Sequence, residues 1–277
     1  MYIERSNELK QLQEIEINIL KEVIKICEKY NLKYFAIGGT CLGAIRHKGF
    51  IPWDDDIDIG MPRKDYEKFI EMAEGELPKN LFLQNYKTEA DYTLNFTKIR
   101  DCNTTFIEKP TQNLNINHGI FIDIFPLDGV KEVNKLYKID RFFIRSLTRI
   151  IALKLIPEYK LPYKIANIVR FILKPINLYK LHILIDKILE KNDYDKCDYI
   201  TNGLGEWGIR ETVPKKYFSN GCKIKFEEIL INVPYEYDKY LTNVYGDYMT
   251  PPVKEKQVTH HETIAINTRE SYKKYTN

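Results

Sequence analysis

"GFIPWDDDIDIGMP", residues 49–62, places four carboxylates within five positions and then continues as an apolar run. Asp56 and Asp58 alternate with Ile57 and Ile59, the period-two pattern of a strand with one face toward a core. Because residues i and i+2 of a strand point to the same face, we expect the two carboxylates to lie side by side. Such carboxylates raise each other's pKa unless a cation neutralises them, and Mg²⁺ is typically held by carboxylates together with substrate phosphates. The stretch therefore predicts a strand that carries a magnesium site.

A glycine pair lies upstream, in the stretch AIGGT of residues 36–40. The stretch reads as the end of a strand, followed by Gly38, Gly39 and the hydroxyl of Thr40 at the start of a helix. Glycines let the backbone approach a ligand closely, and the exposed N–H groups of such a turn bind anions. A phosphate-binding turn beside a carboxylate pair is typical of metal-assisted phosphoryl transfer.

A third carboxylate, Asp123, lies within HGIFIDIFPLDG, which otherwise reads as a buried strand. An isolated buried charge costs several kcal/mol, so Asp123 needs a partner, either a metal or a proton from an attacking hydroxyl. Each of the three features also has an ordinary explanation: a solvated strand edge, a simple turn, and a carboxylate satisfied by N–H groups or an arginine. Their conjunction, in this order along one chain, favours a catalytic site.

Hydrophobic periodicity elsewhere predicts an α/β fold, in which a mixed β-sheet is flanked by helices. Apolar residues at helical spacing indicate an amphipathic helix over residues 7–30, and strand-like runs follow at LFLQNY, LNFTKIR, TTFIE and GIFIDIFPL. We expect residues 1–130 to form the catalytic core, residues 131–200 a basic helical insert, and residues 201–277 a C-terminal part that completes the site.

The helical insert has two open interpretations. Residues 131–191 read as helices broken near Pro157, Pro162 and Pro175, with many more Lys and Arg than Asp and Glu. These helices either form a lid whose apolar face packs on the sheet, or lie against anionic lipid with their apolar side chains in the interface.

Composition narrows the class of protein. The 277 residues carry a net charge of +3, which gives no reason to expect a nucleic-acid partner. The five cysteines are scattered without a C-x-x-C pair, which is typical of free thiols in a reducing compartment. The polar N-terminal residues and the lack of a long apolar run predict neither a signal peptide nor a membrane span, so we expect a cytoplasmic protein.

The central block GGTCLGAIRHKGFIPWDDDIDIGMPRKDYEKF resembles the signature of the LicD family, a branch of the nucleotidyltransferase-fold superfamily related to the fukutin branch. FTKIRDCNTTFIE, HGIFIDIFPLDGV and YDKYLTNVYGDYMTPPVKEKQVTHH extend the resemblance, whereas residues 131–200 match nothing in it. The resemblance implies a compact mixed sheet with helices and Mg²⁺- or Mn²⁺-dependent transfer of a substituted phosphate group. The donor would be a CDP-linked alcohol, and the acceptor a hydroxyl of a cell-surface or lipid-linked glycan. Phosphocholine transfer to teichoic acid or lipopolysaccharide is the best known case, and the fukutin branch transfers ribitol phosphate.

The same resemblance implies roles for individual residues. Asp56 and Asp58 would be metal ligands, and Asp123 a further ligand or the general base. The residues expected to meet the diphosphate and neutralise its charge are Gly38, Gly39, Thr40, Arg46, Lys98 and Arg100. His260 would contact substrate, with His261 beside it as the competing choice. Asp54 and Asp55 are expected in a turn or behind the primary ligands.

Two other functions stay open. In the first, a small molecule attacks the α-phosphate of a nucleoside triphosphate and releases pyrophosphate, as in a true nucleotidyltransferase. In the second, the fold serves only as a glycan-binding or scaffold protein, since a fold does not fix a function. The three aspartates, Asp56, Asp58 and Asp123, argue against the scaffold. The expected location is the cytoplasm, at the inner face of the membrane if the basic helices bind lipid.

Overall fold

The computed structural model describes residues 2–156 and 161–275, with side chains described from residue 7 onward except at residue 163. Within these ranges the chain forms seven α-helices and eleven β-strands. The helices are α1 (Tyr2–Tyr30), α2 (Gly38–Arg46), α3 (Arg63–Glu76), α4 (Lys135–Leu155), α5 (Tyr163–Leu173), α6 (Leu178–Leu189) and α7 (Tyr237–Tyr245). The strands are β1 (Phe35–Ala36), β2 (Asp58–Pro62), β3 (Leu81–Gln84), β4 (Thr97–Asp101), β5 (Thr105–Glu108), β6 (Ile120–Val130), β7 (Tyr199–Asn202), β8 (Thr212–Pro214), β9 (Cys222–Phe226), β10 (Ile229–Val233) and β11 (Thr263–Asn267).

A mixed sheet with β6 at its centre forms the core. The middle of β6 pairs in parallel with β2, its first residues pair antiparallel with β4, and its last residues pair antiparallel with β7. β1 and β3 form the ends of the strand order β1-β2-β6-β4-β3, and β8 pairs with β7. Every residue of β6 is buried, which explains its nearly continuous apolar sequence. The mixed sheet with flanking helices confirms the predicted fold class.

Helix α1 lies across the sheet. It packs on β4 and β6 and against α3. Its inward face carries Ile19, Leu20 and Val23, each at most 1% exposed, as the helical spacing of the apolar residues predicts. The C-terminal part is tied to the core by β11, which pairs antiparallel with β5 so that Asn267 lies opposite Thr105.

Helices α4, α5 and α6 form a layer of their own, in which α4 packs against both of the others. Helices α4 and α6 share a small apolar cluster, separate from the main core, whose buried members are Ile144, Ile151, Ile185 and Leu189. His182 of α6 joins this layer to the rest of the molecule. Its Nδ1 lies 2.7 Å from Asn95 Oδ1, and its ring stacks on Tyr86 with 4.6 Å between centroids. None of the helices in the described residues is long and apolar enough to cross a membrane.

Several helix and strand boundaries in the structure differ from the predicted ones. β2 begins at Asp58, so Asp56 precedes the strand, and α2 begins at Gly38 itself, inside the predicted turn. The pairing of β7 with β6 and of β11 with β5 was not foreseen by the sequence pattern. The predicted break at Pro157 lies outside the described residues. The division of the chain near residues 130 and 200 stays a prediction, although α4 to α6 fall between those positions.

Candidate active site

A cleft of about 690 Å³ opens where β2, β4 and β6 meet the start of α2, the 202–211 loop and the 245–261 segment. Among its charged lining residues, carboxylates outnumber lysines and arginines. Its acidic residues are Asp54, Asp56, Asp58, Glu108, Asp123, Glu206, Glu211 and Asp247. Arg46, Lys98 and Lys256 are the lysines and arginines among its lining residues. A cleft with this excess of negative charge is suited to cations, and to phosphates only in the company of cations.

The register of the sheet places two predicted aspartates and a predicted lysine in one row. Asp58 on β2 and Lys98 on β4 are both paired with Asp123 on β6. Lys98 Nζ donates to both oxygens of Asp123, at 2.7 and 3.1 Å, and its side chain is 3% exposed. Burial raises the pKa of Asp123, and the Lys98 ammonium partly opposes that rise. The partner that the buried Asp123 requires is therefore a lysine.

The glycine pair brings the helix start against the carboxylates. Gly38 has a φ of +53°, and its N–H donates to the Tyr240 hydroxyl at 3.0 Å. A Cβ would lie 3.1 Å from Asp58 Oδ2 if built on Gly38, and 2.8 Å from Asp54 Oδ2 if built on Gly39. Side chains at these positions would therefore crowd the two carboxylates, which explains why glycine occupies both.

Three aspartates before β2 form a compact oxygen cluster. Among the described residues, Asp54, Asp55 and Asp56 offer ligand atoms that all lie within 4.8 Å of one another. Burial, and then the neighbouring carboxylates, raise the pKa of Asp54 and Asp58 well above the usual range. Burial raises the pKa of Asp56 to about 6, and the charge of nearby His261 opposes that rise. These groups fit a hard divalent cation, which would hold all of them ionised.

Asp55 is used to hold the C-terminal segment in place. Its carboxylate accepts from the backbone N–H groups of His260 at 3.1 Å and His261 at 3.4 Å, and His261 Nδ1 lies 3.2 Å from Asp55 Oδ1. Burial lowers the pKa of His261, but the Asp55 contact and the charges of Asp56 and Glu108 outweigh it and raise that pKa to about 9. A protonated His261 thus closes the acidic cluster from the C-terminal side, while His260 is 62% exposed at the cleft.

The predicted phosphate-binding residues separate into two groups. Gly38, Gly39, Arg46 and Lys98 line the cleft. Thr40 is buried behind it, where its hydroxyl accepts from the Asp58 N–H at 2.7 Å. Arg100 is 1% exposed inside the fold and donates to Gln84, to the Gly119 carbonyl at 2.7 Å and to Glu108. Thr40 and Arg100 therefore stand behind the cleft wall.

Sequence reasoning missed part of the lining. Glu108 and Asp247 lie in stretches that carry the family resemblance, and that position could have pointed to them. Trp207 and Glu211 lie in the 202–211 loop, which has no recognisable pattern and reaches the cleft only because β7 pairs with β6. Trp53 also lines the cleft and lies edge-on to His47, with 6.5 Å between ring centroids.

The chain is similar to known proteins along most of its length. Residues 31–148 match the family model described as LicD/FKTN/FKRP, nucleotidyltransferase domain. The chain is 33% identical over 264 residues to the lipopolysaccharide cholinephosphotransferase LicD of Haemophilus influenzae, an alignment that covers 91% of this chain and 96% of that protein. A shorter stretch of 43 residues is 42% identical to the ribitol 5-phosphate transferase FKRP of Homo sapiens and of Mus musculus, covering 16% of this chain and 9% of each relative.

Proposed function

The chain belongs to the LicD family of transferases, and we propose that it moves a substituted phosphate group from a CDP-linked alcohol to a hydroxyl of a cell-surface glycan, releasing CMP. The relatives support the reaction class, since their names give phosphocholine and ribitol 5-phosphate as the groups transferred. The observation that carries the proposal is the cleft itself, in which a buried row of carboxylates faces the N-terminus of a helix.

A divalent cation, Mg²⁺ or Mn²⁺, fits this donor set. Asp56 and Asp58 would hold it, with Asp123 as a further ligand or as the proton acceptor. When bound, such a cation neutralises the charge of the diphosphate and stabilises the negative charge that develops on the leaving CMP. The raised pKa values of Asp56 and Asp58 support the assignment, because burial, and after it the neighbouring carboxylates, disfavour the charged forms that a bound cation would stabilise.

The residues of the chain position the reactants. Arg46 at the cleft wall and the start of α2 at Gly38 and Gly39 meet the phosphates of the donor. The oxygen of the acceptor hydroxyl forms a bond to the distal phosphorus, and the bond from that phosphorus to the CMP oxygen breaks, so that CMP leaves with the electron pair. The hydroxyl proton passes to a carboxylate of the cleft, and Asp123 is suited to receive it because Lys98 favours its ionised form.

An aromatic corner of the cleft supports phosphocholine as the transferred group. The Trp207 and Tyr245 rings lie 4.9 Å apart at an interplanar angle of 72°, and Glu206 and Glu211 line the cleft beside them. Aromatic faces and carboxylates together attract a quaternary ammonium ion, whereas ribitol carries no charge. We expect Trp207→Ala to raise KM for CDP-choline by about tenfold and to change KM for CDP-ribitol far less, as measured by initial rates of CMP release.

A location at the cytoplasmic side of the cell also remains a proposal. It rests on the five cysteines, all of which are free thiols in the structure. CDP-linked donors would meet the enzyme there. Because the cysteines form no disulfide, a reductant has no bond to break. Activity of freshly reduced protein should therefore be the same with and without dithiothreitol.

The alternative is nucleotidyl transfer from a nucleoside triphosphate, which the family model's description as a nucleotidyltransferase domain favours. The two reactions give different products, CMP in one and pyrophosphate in the other. The decisive experiment is incubation of the purified protein with CDP-choline, CDP-ribitol and CDP-ethanolamine, and separately with each nucleoside triphosphate, in the presence of Mg²⁺ and a glycan extract. Cation-dependent CMP release supports the proposal, and pyrophosphate release without CMP overturns it.

A further inference from the structure

The helical layer carries about half of the large apolar side chains that are exposed in the described residues. Eleven of the 21 large apolar side chains that are exposed in the described residues fall between Val133 and Leu184. The most exposed are on α4 and α5, namely Leu136 at 66%, Phe142 at 66%, Ile168 at 60%, Phe171 at 78% and Ile172 at 62%. We call Phe142, Phe143, Ile168, Phe171 and Ile172 the apolar face. A surface of this kind marks an interaction site, because exposed apolar side chains are normally scattered singly.

The apolar face is separate from the surfaces by which these helices pack on one another. α4 and α6 bury Ile144, Ile151 and Ile185 against each other. On α5, Ala166 is buried, whereas Ile165 is 49% exposed. In the structure α4 packs on α5 and α6, and the apolar face stays exposed, whereas the predicted lid would have its apolar face packed on the sheet.

The helices that carry the apolar face are strongly basic. The lysines and arginines of α4 and α5 are Lys135, Lys138, Arg141, Arg145, Arg149, Lys154, Lys164 and Arg170. The acidic residue of the two helices is Asp140, and Lys191 already pairs with it at 2.9 Å. Six of the basic side chains are exposed, the exceptions being Arg141, which is buried, and Lys154. The two helices therefore carry an excess of positive charge over negative charge, which favours an anionic partner.

We propose that α4 and α5 form a docking face that seats the protein on an anionic lipid surface. Aromatic and aliphatic side chains enter the boundary between headgroups and acyl chains, and lysines and arginines contact the headgroups. A second copy of the chain fits this surface poorly, because two such faces would bring like charges together. An anionic lipid surface can accommodate the apolar side chains of the face and also bind its positive charges.

A hydrogen bond joins the docking face to the cleft wall. Arg141 donates to the Gly203 carbonyl, and Gly203 immediately precedes Leu204 and Gly205, which line the cleft. Lys154 of α4 in turn donates to the Lys174 carbonyl at 3.1 Å, just beyond the end of α5. A protein seated by these helices would hold its cleft close to the lipid surface. On the proposed function, this arrangement favours a lipid-linked acceptor over a soluble one.

The test measures binding of the full chain to vesicles without turnover, so its outcome is independent of the transfer reaction. Vesicles of phosphatidylcholine with 30% phosphatidylglycerol are compared with pure phosphatidylcholine by co-sedimentation. We expect binding to the anionic vesicles only, weakened about tenfold or more by Ile168→Ser with Phe171→Ser. Leu230→Ser with Tyr235→Ser, at positions 60% and 63% exposed far along the chain, is the matched control and should bind as the wild type.

Charge is tested separately. Arg149→Gln and Lys164→Gln should each weaken binding about fivefold at low salt, and raised salt should remove that difference. Circular dichroism and thermal unfolding check that all variants fold. Equal sedimentation of the wild type with both vesicle types, or equal binding by the Ile168/Phe171 variant and its control, overturns the proposal. So does a wild-type dimer that the Ile168/Phe171 variant converts to a monomer while vesicle binding is absent, because the face would then be an interface between copies.

Discussion

Replacement of Lys98 by methionine tests the electrostatics of the site most sharply. Methionine keeps the apolar stem that packs near the Phe121 ring, from which Nζ lies 3.3 Å, but removes the charge that contacts Asp123 at 2.7 Å. Asp123 then faces burial and the charge of Glu108 without its ammonium partner. Loss of one member of a buried pair costs about 3–5 kcal/mol.

The cost should depend on pH, because Asp123 can take up a proton instead of remaining charged. Keeping a carboxyl protonated in the folded protein at pH 7, when its unfolded pKa is about 3.9, costs about 4 kcal/mol, and at pH 5 about 1.5 kcal/mol. The sign follows from a folded pKa raised above the unfolded value: the loss is largest at high pH and shrinks as pH falls. The predicted difference between Lys98→Met and the wild type is therefore about 4 kcal/mol at pH 7 and about 1.5 kcal/mol at pH 5.

The assay is urea unfolding followed by circular dichroism at the two pH values, with a chelator present to exclude metal ions. Lys64→Met is the control, since Lys64 and Asp195 form an ion pair in which both side chains are 65% exposed. It should lose little stability at either pH. Lys98→Met with Asp123→Asn should recover most of the loss, because the uncompensated charge is gone. A Lys98→Met loss that is equal at pH 5 and pH 7, or no larger than that of Lys64→Met, would refute the reasoning.

Three further predictions address other parts of the molecule. Burial lowers the pKa of His182 to about 4, so the neutral ring contributes its full stability above about pH 6.5 and loses that contribution as pH falls. In urea unfolding, the stability of the wild type should therefore drop by about 3 kcal/mol between pH 6.5 and 4, and that of His182→Gln by much less. Arg63 donates two hydrogen bonds of 2.7 Å to the buried Asp128 carboxylate, so Arg63→Met should cost about 3–5 kcal/mol of stability. CMP release per folded molecule should stay unchanged, because neither residue lines the cleft. Gly39→Ala should lower CMP release about tenfold or more with little change in thermal stability, because its Cβ would crowd Asp54 at the cleft whereas alanine favours the helix. Unchanged activity in Gly39→Ala, an inactive Arg63→Met, or parallel pH profiles for His182→Gln and the wild type would each contradict the corresponding explanation.

Local patterns predicted the elements of the fold well. The alternation of Asp and Ile at 56–59 predicted the strand and its buried side, and Ile57 and Ile59 are at most 1% exposed. The helical spacing of α1 and the apolar run of β6 likewise predicted the elements that carry the core. These signals are readable because burial of one face imposes a period on the sequence.

Long-range pairing was not predictable in the same way. The sequence placed Asp123 near the other aspartates through a resemblance, but nothing local indicated that β6 would pair with β2 and β4 so that Lys98 reaches it. Glu211 and Trp207 enter the cleft through the pairing of β7 with β6, which depends on contacts between distant segments. Arg100 carries the charge expected of a phosphate ligand, yet its neighbours on β3 and β6 enclose it, and only the packed structure shows this.

The central claim is that the acidic cleft binds a divalent cation which holds the donor. Binding of Mn²⁺, measured by electron paramagnetic resonance of the free ion with and without CDP-choline, tests it most directly. We predict that the wild type binds Mn²⁺, that CDP-choline tightens the binding, and that Asp56→Asn and Asp58→Asn each weaken it at least about tenfold, whereas the exposed control Asp195→Asn leaves it unchanged. Mn²⁺ binding by Asp56→Asn and Asp58→Asn equal to that of the wild type, with or without CDP-choline, would contradict the claim.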